Sequence, residues 1–290
     1  MALSLSVGSG GVVAPPPGAG VPTERPVNPD CVLARPHSSL PMDPPGCRVV
    51  FSDDGSRKDP APIWGKTDCA DPERATERKG YRRLRVLDGD DVYGERCELG
   101  LNDHYEGPTA LYREGERRAT FASVRLPDSF PLAVFAWQNV LQMKQAQPAD
   151  NGGGTPVLSL KAFDGQWSLF HSVEGASDVD TPLWSIPAEK GVWTRFAFDV
   201  VYSADPDRGS IKVYADLDGD GDFDGPDEES PTFITNTLKR ETGGGIGDGY
   251  LEGAPLASHL RAGIYHDPEI NCPAPGGCAV DIDDIEVLAP

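Results

Sequence analysis

Alternation dominates this chain. In VWTRFAFDVVYS, residues Val192, Thr194, Phe196, Phe198, Val200 and Tyr202 fall on one side of an extended backbone, and Trp193, Arg195, Ala197, Asp199, Val201 and Ser203 on the other. A period of two marks a strand with one buried face, so the first set is expected in a core and Trp193 half-exposed outside it. LRAGIYHD repeats the pattern, with Leu260, Ala262 and Ile264 apolar and Arg261, Gly263 and Tyr265 opposite them. Strands are predicted over 81–87, 96–101, 118–126, 133–144, 156–163, 167–173, 183–186, 192–203, 210–215, 232–235, 259–266 and 279–288, separated by turn signals such as DGDD, FDGQ, DPDRG and GDGD. Long helical periodicity does not interrupt them. The expected fold is all-β: a single β-jelly-roll sandwich of two antiparallel sheets with a concave cleft.

Residues 1–30 are rich in Gly, Pro and Ala and are expected to be a disordered leader or linker. Residues 31–79 carry many prolines and are expected to be irregular. The sandwich domain is assigned to 31–290, with no internal repeat and no second boundary. At 290 residues the chain is long enough for one large β domain with a full core.

The net charge of −20 changes the picture of partners. Nucleic acid and anionic membrane surfaces reward a basic face, so neither is expected as a partner. A polyanion still binds where a local cationic cleft wins at contact range, because distant charges are screened over ~8 Å. No segment is long and apolar enough to span a membrane. Six cysteines (31, 47, 69, 97, 272 and 278) make an even set without CxxC spacing, which speaks for disulfides rather than zinc. Cys272 and Cys278 bracket the tight loop PAPGG, and the simplest remaining pairs are Cys31 with Cys47 and Cys69 with Cys97. Disulfides imply an oxidising compartment, so a secreted, monomeric protein is expected, although MALSLSVGSGGVVAPPPGAG lacks the basic start of a signal peptide.

Three short strands carry candidate chemistry. Arg261 and Tyr265 are four residues apart, roughly 13 Å at the strand rise, with Gly263 as a gap between them across which a ligand would lie. In VLQMK, alternation puts Val140, Gln142 and Lys144 on one face, an amide and an ammonium suited to holding a carboxylate. In ERCEL, Arg96 and Glu98 share a face while Cys97 points to the core, and Arg offers a planar fork to carboxylates. Taken singly, each strand also reads as an ordinary solvated sheet face. Four histidines compete for a proton-transfer role: His104, His171, His259 and His266. His104, in NDHYEG just after ERCEL, is the candidate for a place in the site; His171 shares a face with Trp167 and Leu169 and is expected to be buried.

DLDGDGDFDGPDEE is a separate signal. Asp216, Asp218, Asp220 and Asp222 alternate around Gly221, and Asp227 stands at the twelfth position, as in a calcium loop. A hard cation takes many oxygens on a sharply turning backbone. Flanking helices are absent, so a hairpin loop holding a structural Ca2+ is expected.

The order ERCEL, LQMK, LRAGIYHD and finally VDIDDIEVL resembles the jelly-roll polysaccharide lyases of the heparin lyase I and glucuronan lyase type, and more distantly the alginate lyases. Such enzymes share a concanavalin-like sandwich and carry Arg-x-Glu, Gln-x-His and Lys-x-Gly-x-Tyr strands on one concave face. By that resemblance Arg96 matches a substrate-binding Arg, Gln142 the Gln that holds the uronate carboxylate, and Tyr265 the catalytic Tyr. Arg261 takes the place of the family's Lys, and Lys144 stands where His is common. The implied catalytic set is Tyr265, Lys144, Gln142 and Arg96, with Arg261, Glu98 and His104 binding substrate. The implied reaction is β-elimination on a uronic-acid-containing polysaccharide: the C5 proton is removed beside a neutralised carboxylate, and the O4 substituent leaves. A free Tyr has a pKa of about 10, so as a base it needs cations beside it. A non-catalytic carbohydrate-binding module using the same face is the alternative. A glycoside hydrolase would show paired carboxylates ~5–9 Å apart on a strand, and no such strand is present.

Overall fold

The computed structural model describes residues 47–101, 111–146, 155–173, 179–240 and 253–290. Cys31, His104 and the leader lie outside the described residues. Early in the chain come β1 (Arg48–Asp53), a single helical turn α1 (Ala61–Trp64), β2 (Lys66–Cys69), β3 (Ala75–Arg78), β4 (Tyr81–Val86) and β5 (Arg96–Gly100). The middle holds β6 (Arg117–Arg125), β7 (Gln138–Gln145), β8 (Leu158–Phe163), β9 (Gln166–Val173) and β10 (Val179–Pro187). The rest are β11 (Trp193–Val201), β12 (Ser210–Asp216), β13 (Phe233–Ile234), β14 (Ser258–His266) and β15 (Cys278–Ala289).

These strands form two antiparallel sheets that face each other without closing. One runs β13-β12-β11-β6-β15-β4-β3, with β1 paired to the end of β15; the other runs β10-β9-β8-β7-β14-β5-β2. The expected all-β jelly-roll sandwich is what the chain forms. The core lies between the sheets, where Phe196, Phe198 and Val200 of one meet Leu141, Leu160 and Leu260 of the other. Trp193 is half-buried on the outer side, where the Arg125 guanidinium lies 4.7 Å from its ring centre.

Three strands were not expected. Residues 31–79, read as irregular, contain β1, β2 and β3. RVVFSD, KTDC and ATER are short edge segments. Edge strands bury little and tolerate polar residues, so they lack the alternation that marks an inner strand. The Cys69–Cys97 disulfide pins β2 to β5, and Cys272–Cys278 closes the loop before β15, both as anticipated. Cys47 is also disulfide-bonded.

Buried charge ties the outer sheet together. Asp281 on β15 is fully buried and accepts forked hydrogen bonds from Arg83 on β4 and Arg125 on β6, at 2.7–3.0 Å. Three residues on, β15 bulges and Asp284 takes a left-handed φ of 47°. Beside it the Asp283 carboxyl is pushed up to about 7, first by burial and then by the charges of Asp284, Asp54 and Asp53. A carboxyl raised on folding stabilises the fold below its ordinary value of about 4 and loses that contribution as pH rises through about 7. Asp283→Asn should therefore gain thermal stability over the parent as pH is raised from about 5 to about 8 in chelator-treated buffer. A difference in melting temperature that does not change with pH would refute this account.

Candidate active site

Two bulges decide which side chains reach the concave face of the second sheet. Between β14 and β7 the register slips between Ala262 and Tyr265, and between β7 and β8 it slips between Asn139 and Leu141. A bulge re-aims the side chains beyond it. Val140 therefore turns into the core with Leu141, rather than sharing a face with Gln142 and Lys144 as strict alternation predicts. Asn139 swings to the polar face, directly between Tyr265 and Lys161 in the cross-strand register.

Gly263 corrects a second expectation. It does not leave a gap for ligand. A Cβ there would sit 2.2 Å from the Cys97 carbonyl and 2.7 Å from Glu98 Cα, so the missing side chain lets β5 approach β14 closely. Gly263→Ala should cost about 3 kcal/mol of folding stability, read by denaturant unfolding. An intact fold that loses only ligand binding would restore the gap.

Under the cleft lies a buried polar network. Glu98, with 1% exposure, accepts from Gln142 Nε2 and from Arg96 Nη1 (3.3 Å), and lies 3.7 Å from Arg261 Nη1. Arg261 donates to Asp68 at 2.8 Å and, through Nε, to His259 Nε2 at 3.1 Å. Lys66 lies 3.3 Å from Asp68. Among the described residues this network brings the cations Lys66, Arg96 and Arg261 together with the carboxylates of Asp68 and Glu98, and Lys144 lies opposite His259 beside it. His259 accepts from Arg261, so its Nε2 carries a lone pair. Burial, then the charges of Arg261, Lys66 and Lys144, hold it well below the ordinary histidine value, and the ring stays neutral.

Tyr265 lies at one end of this network and is half-buried, whereas Arg96, Glu98, Gln142, Lys144 and Arg261 are buried. The Arg96 guanidinium lies 3.7 Å from the centre of its ring, and Trp137 packs edge-on at 4.8 Å. Arg96 is held there by the Tyr93 carbonyl at 2.5 Å. Tyr265 and Arg96 are direct cross-strand neighbours, as are Gln142 and Arg261.

The structure separates one member of the expected catalytic set. Lys144 is opposite His259, six residues along β14 from Tyr265 and roughly 20 Å away at the strand rise. Alternation along β14 was legible; the slip that sets β7 against it was not. His104 lies outside the described residues. His171 is buried and hydrogen-bonds the Asn236 carbonyl at 2.8 Å, and His266 is buried against Cys272 Sγ at 3.2 Å, so both are structural. Asp68, Lys66 and Asn139 were missed. The first two sit on an edge strand too short to read, and the third is hidden by the bulge.

The acidic loop folds into two groups. Asp216, Asp218 and Glu228 bring oxygens within 4.8 Å of one another, as do Asp220, Asp222 and Asp224. The expected twelfth-position residue, Asp227, belongs to neither. It adopts a left-handed φ of 64° and is exposed, while Glu228 turns inward with 1% exposure. Burial foremost raises the Asp216 carboxyl, with the charges of Glu228 and Asp220 adding to it.

The comparisons agree with this architecture. A family model described as polysaccharide lyase matches residues 64–277, and the chain belongs to that family. The protein is a polysaccharide lyase on a jelly-roll scaffold, and the purely carbohydrate-binding alternative gives way to an enzyme. Its structure is similar to that of an endo-β-1,4-glucuronan lyase from the fungus Trichoderma reesei, with a TM-score of 0.52, 15% identity, and coverage of 84% of this chain and 96% of that one. It is also similar to a marine PL-14 alginate lyase from Aplysia kurodai, with a TM-score of 0.52, 11% identity, and coverage of 84% and 100%. At these identities the likeness establishes the fold alone. None of the curated protein sequences compared matches the chain.

Proposed function

We propose that the protein is secreted and cleaves a uronate-containing polysaccharide by β-elimination, with Tyr265 moving the proton. The observation that carries this reading is the Arg96 guanidinium stacked on the ring of the half-buried Tyr265, at one end of a buried network of Arg, Gln and Glu side chains. Arg96 lies over the face of that ring, 3.7 Å from its centre, and holds the phenol in place. Tyr265 takes the C5 proton and returns it to the departing O4 oxygen on the same face of the sugar, so the C5–H and C4–O bonds break and a C4–C5 double bond forms. The uronate carboxylate must be neutralised for C5 to be acidic. Asn139 and Gln142 are the amides nearest in register; Gln142 Nε2 bears a second hydrogen besides the one given to Glu98. Arg261, opposite Gln142 on β14, and Lys144, two residues further along β7, suit the carboxylates of neighbouring sugars in an extended chain. Two proteins of the same fold act, by name, on glucuronan and alginate, which supports a uronate substrate. Disulfides support export to an oxidising compartment.

The test is ultraviolet absorbance of the unsaturated uronate, followed over a panel of glucuronan, alginate, heparin, heparan sulfate, hyaluronan and chondroitin. One polymer should give a rise that Tyr265→Phe reduces by about 100-fold or more. A flat trace across the panel, or an unimpaired Tyr265→Phe, would sink the proposal.

We also propose that the loop from Asp216 to Glu228 holds a structural Ca2+. Its two groups of three carboxylates each bring oxygens within 4.8 Å of one another, and a hard cation would offset their mutual repulsion. Calcium added to chelator-stripped protein should stabilise it by about 2–3 kcal/mol at roughly a hundredfold excess over Kd. Glu228→Gln should weaken that response. No shift up to about 1 mM would rule the site out.

A further inference from the structure

Two carboxylates face each other on neighbouring strands beneath the cleft. Asp68 on β2 and Glu98 on β5 are direct cross-strand partners, and both are buried. Like charges so placed repel one another unless a cation joins them. Arg261 is such a cation: its Nη1 lies 2.8 Å from Asp68 Oδ2 and 3.7 Å from Glu98 Oε2. The second distance is too long for a hydrogen bond, so Arg261 is held on the Asp68 side. Its Nε donates to His259 Nε2 at 3.1 Å, a second point of attachment. Asp68 is itself held in register, because Cys69, the next residue along β2, is bonded to Cys97.

The two oxygens of Glu98 are divided in a way that bears on Tyr265. Gln142 Nε2 donates to Oε1. Oε2 accepts from Arg96 Nη1 at 3.3 Å and has Arg261 Nη1 as its neighbour at 3.7 Å. One oxygen thus has two guanidinium groups within reach, and Arg96 is the one that lies over the Tyr265 ring. Its bond is longer than the ~2.8 Å of a close guanidinium–carboxylate contact, so it is open to competition. Among the described residues the hydrogen-bond acceptors of Arg96 are Glu98 and the Tyr93 carbonyl. Losing the first would leave the guanidinium anchored at one point and able to swing off the ring.

We infer that Asp68 is a positioning residue: by holding Arg261 away from Glu98 Oε2, it leaves that oxygen to Arg96 and so keeps Arg96 over Tyr265. Without the Asp68 charge, Arg261 reaches a charge-assisted bond to Glu98 by moving about 1 Å. Lys66, 3.3 Å from the same Asp68 oxygen, then loses its counter-charge and adds repulsion that drives Arg261 the same way. Asp68 acts through Arg261, Glu98 and Arg96 in turn and takes no part in the chemistry. Its effect on rate rests on the elimination reading, which takes Tyr265 as the group that moves the proton; its effect on Arg96 does not.

The experiment compares the parent with Asp68→Asn, Arg261→Gln and the double variant, on the polymer that the panel identifies and below the melting temperature of each. Asp68→Asn should lower kcat roughly 10- to 100-fold, as a misplacement of about 1 Å does, while KM is largely retained. Arg261→Gln should raise KM. The double variant should show the kcat of Arg261→Gln alone, since without the competing guanidinium Asp68 has nothing to restrain. A role confined to stability would shift melting temperatures and leave kcat unchanged. An unchanged kcat in Asp68→Asn, or a double variant as slow as that single one, overturns the inference and leaves the elimination standing. Should Asp68→Asn not fold, the double variant against Arg261→Gln carries the test, and a lower kcat in the double overturns the inference. Crystal structures of the variants supply a readout that needs no activity. In Asp68→Asn, Arg261 Nη1 should come within hydrogen-bond distance of Glu98 Oε2 and Arg96 should leave the ring; in the double variant Arg96 should stay on it. If the parent eliminates nothing, the elimination reading fails and these structures decide alone: Arg96 still over Tyr265 in Asp68→Asn, or displaced in the double variant, overturns the positioning role.

Discussion

Glu98 is the constraint on which the cleft depends. A carboxylate with 1% exposure persists in a sheet only if donors and cations surround it, because desolvating an unpaired charge is prohibitive. Its partners come from three adjacent strands: Arg96 on its own strand, Gln142 on β7 and Arg261 on β14. Satisfying that one group therefore fixes the side chains across the floor of the site. Arg96, drawn to Glu98 and to the Tyr93 carbonyl, is left lying over Tyr265. The same bonds that stabilise the buried charge thus position the cation beside the phenol. The pairings also leave His259 neutral, as the acceptor that orients Arg261.

Much of this was legible because it follows from period two. ERCEL and LRAGIYHD alternate without interruption and pair in regular register, which sets Arg96 opposite Tyr265, on the one face that the family resemblance implies. VLQMK failed for a physical reason. A bulge adds one residue to a strand without changing its composition, so Val140 and Asn139 exchange faces without any mark in the sequence. Gly263 illustrates a different limit: the sequence announces a missing side chain, but only the packing tells whether ligand or backbone fills the space. Asp68 and Lys66 were invisible because KTDC is four residues on an edge, below the length at which alternation can be counted. In the acidic loop the spacing identified the cluster, but a left-handed residue at Asp227 passed the inward role to Glu228.

The net charge of −20 and the cationic cleft are not in conflict. Screening confines the global field to about 8 Å, so the polyanion of the proposed reading would meet repulsion from the surface generally and attraction at the cations of the cleft. Such a distribution disfavours adsorption elsewhere and makes engagement depend on contact with the cleft. It also weighs against polymers of very high charge density, for which the surrounding acidic surface would cost more.

Lys144 bears on how the proposed elimination would run. A base and an acid on opposite faces of the sugar would require a second proton-carrying group near C5, yet Lys144 is roughly 20 Å along the sheet from Tyr265. His171 and His266 are committed to the interior. His259 is fully buried and neutral beside Lys144, at the same remote position. On the proposed reading, the phenol at that end of the cleft both accepts and donates the proton. A single group can do both only if the proton and the leaving oxygen lie on the same side of the ring. The proposed single-phenol elimination therefore calls for a substrate whose C5 hydrogen and O4 are syn, which constrains the stereochemistry of the uronic acid and not only its charge.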